Sequence, residues 1–147
     1  MAQVRGYFTD GARRPYVGAE IVLPRLGVWG EVELLVDTGS DSTILHWGDR
    51  LRLQTPDGLP LPANTIFSDG SEASGIAGSH VPYGSENAVL FFDAEDGSQI
   101  AIRVRVDIEL TPPIAGVPSL LGRDVLSEAR LDFNMPADEL VLDWALG

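Results

Sequence analysis

Apolar and polar residues alternate along much of the chain with a period of two, the mark of strands with one buried face. The clearest run is Gln99 to Leu110 (QIAIRVRVDIEL). There Ile100, Ile102, Val104, Val106 and Ile108 alternate with polar residues and predict a half-buried strand. Tyr16 to Pro24 (YVGAEIVLP) and Glu31 to Val36 (EVELLV) predict two more, joined by a turn near Arg25 to Gly30. In the second of these, Val32, Leu34 and Val36 share a face. Thr43 to Leu45 predicts a short strand, and Gly48 to Leu53 a single helical turn. Asn87 to Asp93 (NAVLFFD) predicts the strand before Gln99, separated from it by the turn Glu95-Asp96-Gly97. Leu131 to Asn134 and Glu139 to Trp144 predict the last two, around a Met-Pro-Ala-Asp turn. Helical spacing is clear from Arg123 to Ala129, where Val125, Leu126 and Ala129 share a face.

Between these elements, Thr55 to Ala63 (TPDGLPLPA) predicts irregular chain, and Asn64 to Ser85, with Gly70, Gly75, Gly78 and Gly84, a mobile hairpin. Neither a linker nor a repeat interrupts the pattern. One mostly β domain covering residues 1–147 is the expectation, and 16 Gly with 10 Pro favour strands and turns over long helices.

Composition narrows the chemistry. With no cysteine there is neither a disulfide framework nor a thiolate metal site, and two histidines, His46 and His80, are too few for most catalytic zinc sites. No metal and no cofactor are expected. The net charge is −12, with every basic residue an arginine, which argues against a nucleic-acid partner because phosphate binding needs a positive face. The start, MAQVRGYFTDG, lacks a signal peptide's apolar core, and no apolar stretch is long enough to span a bilayer. A soluble, cytoplasmic protein without a membrane partner is expected.

Candidate chemistry centres on residues 34 to 45, LLVDTGSDSTIL, where Asp37 follows three apolar residues at a strand end. Carboxylates are rarely buried without a partner. A turn aspartate bonding nearby backbone N–H groups, with Gly39 at positive φ, is the commonest use of Asp-x-Gly. A phosphate-binding hairpin is a second use, by local resemblance to actin-like ATPases and sugar kinases. Those enclose their nucleotide between two domains, more than 147 residues supply, and this chain has no lysine. The third use is peptide hydrolysis, which needs a base to activate water and an acid to protonate the departing group. Two adjacent carboxylates do both, because like charges so close cannot both ionise. One chain supplies one such aspartate; a twofold homodimer supplies the second.

Residues 34 to 45, taken with Ser119-Leu120-Leu121-Gly122-Arg123-Asp124-Val125-Leu126 and the glycine-rich Gly75-Ile76-Ala77-Gly78 between them, resemble the retropepsin family of single-domain aspartic proteases. The three motifs stand in the family's order. The resemblance implies a closed β-barrel-like fold with a flap hairpin and one short C-terminal helix, acting as a homodimeric endopeptidase on extended peptides. It implies that Asp37 is the catalytic carboxylate, shared with a second copy, that Thr38 hydrogen-bonds across the dyad, and that Gly39 lets the two loops approach. By the same resemblance Ser40, Asp41, Gly75, Ile76, Ala77 and Gly78 contact substrate. Leu120, Leu121 and Gly122 would pass behind the catalytic loop, and Arg123 would pair with Asp41. Ser40 is also expected to hydrogen-bond the neighbouring carboxylate and so favour an acidic optimum. His46 and His80 read as structural. Relative to the viral pattern, the residues through about Arg14 form an extension, as does the Pro-rich segment before the flap. A catalytically idle domain that binds peptide or dimerises is the competing reading.

Overall fold

A computed structural model of the chain describes residues 2–74, 80–113 and 116–144. Two short strands, β1 (Ala2–Arg5) and β2 (Tyr7–Phe8), precede a long hairpin of β3 (Pro15–Leu23) and β4 (Val28–Val36). The hairpin turn is tighter than the pattern predicts, with Gly27 in the left-handed region at φ 65°. β4 therefore begins at Val28 rather than Glu31. Gly30 hid this start, because a strand glycine reads as a break. Here it marks a close approach: a Cβ at Gly30 would lie 2.8 Å from the Arg52 carbonyl oxygen.

After β4 come β5 (Ile44–Leu45), the single turn α1 (Trp47–Arg50), and the hairpin of β6 (Asp69–Ser74) with β7 (His80–Asp93). Then follow β8 (Gln99–Glu109), β9 (Ser119–Leu121), α2 (Arg123–Leu126), β10 (Arg130–Asn134) and β11 (Glu139–Trp144). The strand predicted from Asn87 is the second half of β7, which begins at His80. α2 ends three residues short of the predicted Ala129, with Ser127 as its C-cap.

The large sheet runs β2-β3-β4-β9-β5-β8-β7-β6, and a further pairing of β3 with β7 closes six of these strands into a barrel. Val32 and Leu34 of β4, Leu90 and Phe92 of β7, and Val106 and Ile108 of β8 fill it, none more than 2% exposed. A second sheet, β1-β11-β10, joins the two ends of the chain, with Ala2 opposite Trp144 and Val4 opposite Leu142. Residues through Arg14 thus contribute strands rather than a mere extension. Their four-residue strand carries little local signal, and its partner lies at the other end of the sequence. No helix among the described residues is long and apolar enough to cross a membrane.

Candidate active site

Asp37 stands where β4 leaves the barrel. β9 runs parallel to β4, with Val36 opposite Leu121, and the Asp37 N–H donates to the Leu121 carbonyl at 3.0 Å. The chain then turns. The Ser40 N–H donates to the Asp37 carbonyl at 3.2 Å, and the Gly39 N–H to Asp37 Oδ1 at 2.9 Å. One carboxylate oxygen thus shapes the turn, while Oδ2 has no hydrogen-bond partner among the described residues. Gly39 is not at positive φ. Within the described chain a Cβ there would meet only Asp37 Oδ1, at 3.2 Å. Among the described residues neither backbone conformation nor packing against another part of the chain demands a glycine at this position.

The floor of the loop is different. A Cβ on Gly122 would lie 2.3 Å from the Ser42 carbonyl oxygen and 3.0 Å from that of Ser40, so β9 and the loop cross in backbone contact. The Arg123 N–H donates to the Ser40 carbonyl at 2.9 Å and the Gly122 N–H to Thr43 Oγ1 at 3.2 Å. Leu121 is fully buried and Leu120 half-buried. Asp124, to which the sequence assigned no role, clamps the far end of the loop. It accepts the Thr43 hydroxyl at 2.7 Å and the Thr43 N–H at 2.9 Å.

Arg123 meets Asp41, as expected, but its fork is divided. Nη2 pairs with Asp41 Oδ1 while Nη1 donates to the Thr38 carbonyl at 3.3 Å. The two side chains are 54% and 88% exposed, so water screens the pair and its worth is at most about 1 kcal/mol. Thr38 is exposed, and its hydroxyl has no partner among the described residues. Ser40 corrects an expectation. Its hydroxyl donates to the Ser42 carbonyl at 2.8 Å, bracing the loop, and not to the Asp37 carboxylate. Gly75, Ile76, Ala77 and Gly78 lie outside the described residues. Among the described residues a concavity lies away from Asp37, lined by Arg5, Glu20, Glu31, Glu33, Asp93 and Gln99.

Over 99% of its length the chain is similar to a retropepsin-like aspartic protease from Rickettsia conorii, covering 93% of that chain with a TM-score of 0.54 and 14% identity. The chain has the retropepsin-like fold. A second similar structure is EIAV protease complexed with the inhibitor HBY-793, at 21% identity and TM-score 0.46, covering 81% of this chain and 90% of that one. No protein-family model and no curated protein matches the sequence.

In the retropepsin-like fold of this chain, buried charges brace the β6–β7 hairpin. Glu86 is 0% exposed, accepting Arg25 Nη2 at 2.7 Å, the Ser68 hydroxyl at 2.9 Å and the Ser68 N–H at 3.1 Å. Burial pushes its carboxyl up, and the bonds from Arg25 and Ser68 more than offset this, holding it below the usual glutamate value. Arg50, 2% exposed, donates to the carbonyls of Glu109, Pro62 and Ala63, and its guanidinium lies 4.8 Å from the centre of the Trp47 ring. Burial lowers the Arg50 pKa. His46 is structural, as expected. Nδ1 lies 2.6 Å from the Pro118 carbonyl, to which it can only donate, and Nε2 is hydrogen-bonded with the Tyr83 hydroxyl at 3.1 Å. The His80 side chain lies outside the described residues.

Proposed function

We propose that two copies of this chain form an aspartic endopeptidase whose paired Asp37 carboxylates hydrolyse extended peptides. The observation that carries this reading is the presentation of Asp37. Asp37 is half-buried, its backbone is fixed to β9 and its Oδ1 to Gly39, while Oδ2 has no partner in its own chain among the described residues. A second Asp37 across a twofold axis supplies that partner, with one proton shared between them. Gly39 fits the same geometry, since among the described residues only Asp37 Oδ1 lies near its missing side chain, leaving room for the loop of a second copy.

In this reaction the ionised Asp37 takes a proton from water as the oxygen attacks the peptide carbonyl carbon. The protonated Asp37 gives its proton to the carbonyl oxygen, forming a gem-diol. The first carboxyl then protonates the amide nitrogen as the C–N bond breaks, and the other recovers a proton from the diol. The β6–β7 hairpin serves as the flap that excludes water.

The test is a peptide-cleavage screen of the purified chain with and without a statine inhibitor, which mimics the diol. Cleavage blocked by the inhibitor supports the endopeptidase. Inhibitor or peptide binding without cleavage supports the idle peptide-binding domain instead.

A further inference from the structure

We infer that Asp107 is a specificity-determining residue that selects a cationic side chain, Arg or Lys, in a peptide bound beside Asp37. This rests on the peptidase reading and names the substrate class of the same site. β8 lies between β5 and β7, with Asp107 opposite Ile44 on one side and Ser85 on the other. Its neighbours Val106 and Ile108 are 0% exposed inside the barrel, so alternation sends the Asp107 side chain out of the barrel, where it is half-buried. There it accepts the Ser42 hydroxyl at 2.9 Å on Oδ2 and the Ser85 hydroxyl at 2.7 Å on Oδ1. Ser42 belongs to the loop that carries Asp37, and Ser85 to the strand that rises into the proposed flap. The carboxylate thus ties the loop of Asp37 to β7, and in the peptidase reading an extended peptide lies between these two elements.

Charge balance makes the bridge selective. Nearby, Asp41 has Arg123, Asp69 has Arg105 at 3.4 Å, and Glu86 has Arg25 at 2.7 Å, while Asp124 and Glu109 lack a cation among the described residues but each accept a backbone N–H. Asp107 forms no ion pair among the described residues, and both partners it has are neutral hydroxyls. Each hydroxyl occupies one of about four lone-pair positions on the carboxylate, leaving room for further donors. A half-buried carboxylate without a cation has lost hydration that nothing charged replaces. A substrate arginine or lysine supplies a charge-assisted bond there.

The experiment uses octapeptides of norleucine-rich sequence in which a single arginine is walked along the chain. Cleavage is measured for wild type and Asp107→Asn, and binding by fluorescence anisotropy for Asp37→Asn with and without Asp107→Asn. Arginine at one position should improve cleavage and binding over norleucine by roughly tenfold or more, a ratio that falls towards one in Asp107→Asn. Asparagine keeps an acceptor for the serines, and thermal unfolding reports whether that variant folds. If it does not, the same ratio in wild type at low and high salt decides, since a charge-selected peptide loses its advantage as salt rises. Selective binding without cleavage upholds this proposal and removes the peptidase. Cleavage without arginine preference, or a preference unchanged in Asp107→Asn, overturns this proposal and leaves the peptidase standing. Neither binding nor cleavage overturns both.

Discussion

Gly122→Ala places a methyl group where the structure has no room. The added carbon would lie 2.3 Å from the Ser42 oxygen and 2.5 Å from its carbonyl carbon. Both contacts are with backbone, so no side chain can rotate away. Either β9 or residues 37–43 must shift by about 1 Å, and overpacking of this kind costs roughly 1–3 kcal/mol. The shift also stretches the Arg123 N–H bond to Ser40 (2.9 Å) and the Gly122 N–H bond to Thr43 (3.2 Å), each worth about 1 kcal/mol. Together the loss is about 4 kcal/mol, which for a chain of this size lowers Tm by roughly 8–16 °C. Calorimetry at fixed chain concentration measures it, because association would make Tm concentration-dependent. A Tm within about 2 °C of wild type would refute the claim that β9 and the loop cross in backbone contact.

Gly39→Ala should do the opposite: Tm should move by no more than a few degrees, since among the described residues only Asp37 Oδ1 lies near the new carbon, while peptide hydrolysis is lost as the two loops are forced apart. Equal damage to stability would show that the glycine serves its own chain. Arg25→Met should destabilise by about 2 kcal/mol at pH 7, because Glu86 loses its cation while buried. In wild type the depressed Glu86 pKa contributes stability above the ordinary carboxylate range that is lost as pH falls through the folded value. The variant loses the Arg25 bonds that hold this carboxyl down, so the penalty should shrink between pH 7 and pH 4; urea unfolding at both pH values that showed a constant penalty would contradict this assignment. Ser40→Ala should leave the alkaline limb of the pH–rate profile in place and cost about 1 kcal/mol of stability, because the hydroxyl bonds Ser42 and not Asp37.

Local signals made much of this legible. Alternation in β8 and along Val32, Leu34 and Val36 found the barrel face, because a half-buried strand writes its burial into every second residue. The turn after Asp37 was legible because Asp-x-Gly favours one, and the Gly122-Arg123 crossing because those residues match a motif of the retropepsin family. What stayed hidden depends on distant partners. β1 carries too few residues to declare a strand before β11 pairs with it. Glu86 and Arg50 look like surface charges in the sequence, yet Ser68 and Arg25 close over one, and the carbonyls of Pro62 and Ala63 receive the other. Asp107 reads as the polar side of an alternating strand. Only the fold brings Ser42 and Ser85 to its two oxygens. The hydroxyl of Ser40 had several acceptors within reach, and residue type alone does not choose between a carboxylate and the Ser42 carbonyl.

The central claim is that Asp37 works only as one of a pair, and a mixing titration with Asp37→Asn addresses it directly. Total chain concentration is held constant above the dimer dissociation constant while the variant fraction rises, and initial rates of peptide cleavage are recorded. If both carboxylates are required, activity follows the square of the wild-type fraction, so an equal mixture retains about one quarter. A linear fall, with about one half retained in the equal mixture, would mean that each chain acts through its own Asp37 and would contradict the shared site.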